Sequence, residues 1–137
     1  MNKFTEMITA SLQIAKTVTT GISSTALLDM MPYKKSMVLV TANKPLDATG
    51  SSGVITATVY ESSAATWNGA VATAMTSFVS TVSCNSTTEG FIKLEVNDYD
   101  MSINATKRYL GVRVAAHTAT DIVCIVQRYR GDNEPLE

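Results

Sequence analysis

The stretch RYLGVRVAAHTATDIVCIVQRY, Arg108 to Tyr129, decides how this chain folds. It holds the only histidine, His117, and one of two cysteines, Cys124, and Arg130-Gly131-Asp132 follows directly. Crowded together, these residues look like a site. Their spacing says otherwise. Side chains of an extended strand alternate, so Leu110, Val112 and Val114 share one face while Tyr109, Gly111 and Arg113 take the other. His117 to Asp121 is polar and turns the chain. Ile122 to Val126 is a continuous apolar run, the pattern of a strand covered on both faces. The segment reads as two strands joined by a turn.

The same grammar continues upstream. Residues 54–62 alternate most clearly, with Ile55, Ala57 and Val59 against Thr56, Thr58 and Tyr60. Residues 91–97 place Ile92, Leu94 and Val96 inward and Lys93 and Glu95 outward. Further strands are expected at 24–30, 35–42 and 77–84. Met31-Pro32 ends the first of these, because proline cannot donate to a ladder. Residues 43–53, Asn68-Gly69 and 85–90 carry turn formers. About seven or eight short strands at regular spacing predict an all-β chain, an antiparallel β-sandwich or jelly roll. Phe4, Met7, Ile8, Leu12 and Ala15 fall at helical spacing, so residues 4–15 are read as a short helix or an extended arm. The expected organisation is an N-terminal arm at 1–20, a sandwich at 21–130 and a polar tail at 131–137.

Composition narrows the functional class. Charged residues are 17% of the 137, below the roughly 25% of an average soluble domain. A weakly charged surface is easily covered by a neighbour, since little charge must be desolvated. A net charge of −1 without a basic stripe argues against nucleic-acid binding. No apolar run approaches the ~18 residues of a membrane span, and the N-terminus lacks the apolar core of a secretory signal.

No residue is assigned a catalytic, cofactor-binding or metal-ligating role. The chain has no G-x-S-x-G elbow, phosphate loop, H-E-x-x-H or C-x-x-C motif. His117 reads as a turn residue and Cys84 and Cys124 as buried free thiols, rather than a nucleophile pair. Asp98 and Asp100 lack calcium-loop spacing and read as turn caps. Arg130-Gly131-Asp132 is a three-residue match without a secretory context. Asn85 and Asn104 match glycosylation acceptors but read as loop residues for the same reason. Trp67 and Tyr60 are weighed as a sugar platform against a core plug and a strand-face residue.

Several phrases carry a resemblance: YKKSMVLVTANKPLDA (33–48), GVITATVYESSAATW (53–67), GFIKLEVNDYD (90–100) and KRYLGVRVAAHTATDIVCIVQRY (107–129). In strand pattern and wording, residues 22–130 resemble the capsid decoration or cement proteins of tailed bacteriophages, which are jelly-roll sandwiches. The resemblance implies a non-enzymatic virion protein, made in the host cytoplasm, that binds the capsid exterior and bridges major capsid protein subunits. It implies self-association as a homodimer or homotrimer, no cofactor, and no direct contact with nucleic acid or membrane. Many symmetry-related copies act multivalently, so each contact can be weak. Residues 1–20 are the first candidate for reaching a partner, and deleting 1–15 is expected to impair assembly more than folding. A head–tail or tail component, and an adhesive carbohydrate-binding module, are the competing readings.

Overall fold

The computed structural model describes residues 8–18, 21–31, 33–44, 53–69, 71–85, 87–97, 100–101, 107–117 and 120–130. These form β1 (Ile8–Val18), β2 (Gly21–Ser24), β3 (Leu28–Asp29), β4 (Lys35–Asn43), β5 (Gly53–Ser62), β6 (Ala72–Cys84), β7 (Gly90–Asn97), β8 (Tyr109–Ala116) and β9 (Thr120–Tyr129). The first sheet runs β1-β9-β4-β7, and the second runs β2-β8-β5-β6 with β3 also on β8. The pairings nest: β1 with β9, β2 with β8, β4 with β7 and β5 with β6, all antiparallel. Two further pairings, β4 with β9 and β5 with β8, join these hairpin pairs into sheets. With β2 and β3 counted as one interrupted strand, this is a long hairpin rolled up on itself, the jelly-roll connectivity.

Alternation drives the layering. In β4 every second residue is buried, and β5 alternates in the same way from Gly53 to Val59. Val38, Val40, Ile55, Val59, Leu110, Val112, Val114 and Val126 fill the space between the sheets with essentially no exposure. β8 and β9, the strands of the opening stretch, sit inside opposite sheets, so the core is built around them. One detail of that stretch differs from expectation. Ile122, Cys124 and Val126 are buried, but Val123 is 39% exposed and Ile125 half-buried. The neighbours of β9 lie beside it in the sheet, and among the described residues no second layer covers its outer face.

The N-terminal segment departs further. The described part, residues 8–18, is extended rather than helical, and it is a full strand of the sheet: β1 pairs with β9 from Ile8↔Tyr129 to Val18↔Thr120, with a bulge between Leu12 and Ile14. Apolar residues at helical spacing also fit a strand once a bulge shifts the phase. Ile14 then points into the core at 5% exposure, while Leu12 stands out at 62%. The strand expected at 24–30 is split. The Val112 N–H bonds to Thr25 Oγ1 at 2.9 Å, and the Thr25 N–H bonds to the Val112 carbonyl at 2.9 Å. A side chain thus stands in for one rung of the ladder and separates β2 from β3. β6 also starts earlier than expected, at Ala72 rather than 77, and it bulges between Ala74 and Val79, opposite Thr58 to Tyr60 of β5.

One end of the sandwich is fastened by charge. Arg108 Nε donates to Asp29 Oδ1 at 3.0 Å and its NH2 group donates to Oδ2, a bidentate pair. That guanidinium holds the Asp29 carboxyl below the usual carboxylate range. Arg128 donates to the Asp29 carbonyl at 2.8 Å and lies 4.6 Å from the Tyr33 ring centroid. The chain before β4 is thereby tied to both β8 and β9.

Candidate functional site

The residues that made the opening stretch look reactive are not assembled for chemistry. His117 is exposed just beyond the end of β8, its N–H bonded to the Val54 carbonyl at 3.1 Å. Cys124 has no exposed surface in the middle of β9, and Cys84 is buried at the end of β6. Both thiols are free. Burial pushes Cys124 up to about 12, and burial is also the largest influence raising Cys84. A neutral thiol without access is a poor nucleophile. Native protein at pH 8 is therefore expected to leave both thiols unlabelled by an aromatic disulfide reagent, with both reacting after denaturation; fast labelling of Cys124 would contradict its placement. The unfolded thiol ionises from about pH 9 and the folded one only near 12, so the contribution of Cys124 is complete below pH 9 and is lost above it. Cys124→Ala should lack this alkaline loss.

The turn residues do local work. Asn85 Oδ1 accepts from the Thr87 N–H at 2.9 Å, the Thr87 hydroxyl at 3.0 Å and the Thr88 N–H at 2.6 Å. Asp100 Oδ2 accepts the Asn97 N–H at 2.8 Å. Arg130 is exposed, while Gly131, Asp132, Asp98 and Asn104 lie outside the described residues. Among the described residues, no three His, Cys, Asp or Glu side chains are grouped as metal ligands would be.

Tyr60 and Trp67 do come together, on the outer face of the second sheet. Their rings meet edge to face, centroids 5.5 Å apart at 76°. Arg113 of β8 lies over both, its guanidinium carbon 4.9 Å from the Tyr60 centroid and 4.5 Å from that of Trp67. Trp67 Nε1 donates to the Thr25 carbonyl at 2.6 Å, and its ring covers Gly111. A sugar stacks on a free aromatic face. Here the guanidinium occupies that position, which favours a structural clamp over a platform. Arg113 and Gly111, both necessary to this cluster, carry no sequence signal beyond their place in the alternation of β8.

The outer face of the first sheet carries no second layer among the described residues. Cross-strand register puts Ala15, Val123, Thr41 and Phe91 in one row and Leu12, Ile125, Leu39 and Lys93 in the next. Phe91 is 56% exposed. Towards one end, Glu95 pairs with Lys35 at 3.5 Å and Lys93 at 3.4 Å. At the other end an open groove of about 300 Å³ is lined by Thr41, Ala42, Asn43, Glu89, Asp121, Ile122 and Val123. The apolar rows are legible only in part from the sequence, because Leu12 falls in a segment that reads as a helix or arm and the outer residues of β9 fall in a run that reads as a covered strand.

No family model and no curated protein matches the chain. Solved structures do. The exported protein XepA of PBSX matches over 94% of this chain with a TM-score of 0.54 at 18% identity, and this chain spans 42% of XepA. The top component of cowpea mosaic virus, naturally occurring empty particles, matches over 92% of this chain and 84% of its own with a TM-score of 0.53 at 6% identity. Infectious bursal disease virus, Gx strain, matches over 93% of this chain and 33% of its own with a TM-score of 0.52 at 8% identity. The chain has a viral capsid-like β-sandwich. At these identities the likeness is one of fold, and function has to be argued from surfaces.

Proposed function

We propose that this chain is a non-enzymatic structural protein of a bacteriophage virion, bound to the capsid exterior, where it stabilises the shell by bridging major capsid protein subunits. The observation that carries the reading is the jelly-roll sandwich, whose fold is similar to that of proteins of virus particles. Its low-charge outer faces suit burial against a neighbour at modest desolvation cost. The Arg113 guanidinium over Tyr60 and Trp67 weighs against the adhesive alternative.

Quantitative mass spectrometry of purified virions tests the proposal. A copy number comparable to that of the major capsid protein is expected, together with co-sedimentation of the purified chain with emptied shells. A copy number set by a single vertex or tail would reassign it as a connector. Absence from the particle would overturn the reading altogether.

A further inference from the structure

The outer face of the first sheet is the strongest unexplained feature of the molecule. Leu12, Phe91 and Val123 stand 62%, 56% and 39% exposed, and Leu39 and Ile125 lie half-buried between them. They are contiguous through the registers Leu12↔Ile125, Leu39↔Ile125 and Thr41↔Phe91. Monomeric soluble proteins rarely leave so continuous an apolar patch uncovered. The outer face of the second sheet is more mixed: Ile22 and Val79 stand 64% and 45% exposed there, set among Thr56, Thr58 and Thr81 and the Tyr60–Arg113–Trp67 clamp.

We propose that this face packs against the same face of a second copy, forming a two-fold symmetric dimer with the Leu39–Ile125 row near its centre. Three features favour a second copy. First, the area is sufficient. Four strands about 4.8 Å apart and nine residues long at ~3.4 Å each give a face of roughly 600 Å², hence about 1,200 Å² for two copies. That is the lower bound of specific interfaces, and side-chain relief adds to it. Second, two sheets pack face to face at about 10 Å without any special pocket, as the two sheets within each chain already do. Third, the charges around the patch are of both signs. Lys35 and Lys93 flank Glu95 at one end, and Glu89 and Asp121 stand at the other. With strands running antiparallel across the interface, the acidic end of one copy lies over the Lys35 end of its partner. A parallel arrangement would set acid against acid. A strongly charged partner would find no matching field here.

Sedimentation equilibrium on the purified full-length chain reads this directly. A dimer at micromolar concentration is expected. Phe91→Lys and Ile125→Lys should each weaken it at least about 30-fold, the effect of a hot-spot residue. Val79→Lys, at an exposed apolar position on the second sheet, should leave it intact. Circular dichroism confirms that each variant is folded, and Phe91→Ser provides a milder change at an exposed position. In Leu39→Cys protein, a short bismaleimide should link two chains, since the native thiols are buried. A monomer at these concentrations, or a dimer unaffected by Phe91→Lys, Phe91→Ser and Ile125→Lys while Val79→Lys disrupts it, would overturn the assignment. The virion proposal is unaffected by either outcome, because it is read from copy number in particles and not from association in solution.

Discussion

Trp67→Ala is expected to cost about 3 kcal/mol of folding free energy, within the range for truncating large aromatics. Trp67 lies outside the sandwich, so the size of this effect needs a reason. Its ring covers Gly111 in the centre of the second sheet, stacks edge-on to Tyr60, receives Arg113 and donates to the carbonyl at the break between β2 and β3. Removing it uncovers a strand that has no side chain at that point. The converse change is informative. A Cβ at Gly111 would fall 2.6 Å from Trp67 Cζ2 and 2.7 Å from Leu27 Cδ2. A leucine methyl can turn away, but an indole clamped on three sides cannot. Gly111→Ala should therefore cost about 1–3 kcal/mol by overpacking. Once Trp67 is gone the same substitution should cost little, because alanine is intrinsically the better strand residue by about 0.5–1 kcal/mol. Urea denaturation of the two single variants and the double variant measures the coupling. Additive effects would mean that the indole is not what requires glycine at 111.

The cluster also marks where sequence reading stops. Alternation identified the inward faces of β5, β7 and β8, because burial of every second side chain follows from the pleat alone. It could not order the strands. Nothing near Ile14 announces that it lies beside Cys124, more than a hundred residues later, or that Thr25 replaces a rung opposite Val112. Those facts come from non-local closure, where each strand of the first half finds its partner in the second. The same limit hid the apolar face. Val123 and Ile125 look like core residues in an unbroken apolar run, and only the layering shows that one side of β9 meets no second sheet among the described residues. A resemblance in strand wording could point to a capsid-like sandwich. It could not say which surface is left to be covered.

The N-terminal strand gives the sharpest reversal. An arm would be dispensable for folding, so deleting residues 1–15 would spare the domain and harm only assembly. The structure requires the opposite. The deletion removes most of β1, including Ile14, which is buried against the core and whose loss alone should cost about 2–5 kcal/mol. It also strips β9 of the partner that runs from Tyr129 to Thr120, leaving a largely apolar strand as an open edge. An exposed edge of that kind is a template for aggregation. The truncated chain is expected to be insoluble, or soluble with a much lower thermal midpoint and dye-detectable exposed apolar surface. Ile14→Ala should show a milder version of the same loss. A soluble truncated chain with an unchanged melting curve would make β1 an appendage and return residues 1–15 to the role of an arm. The pairing predicts more for the middle of the strand than for its exposed residues. Leu12→Ser, 62% exposed on the outer face, should leave folding stability nearly unchanged while Ile14→Ala does not.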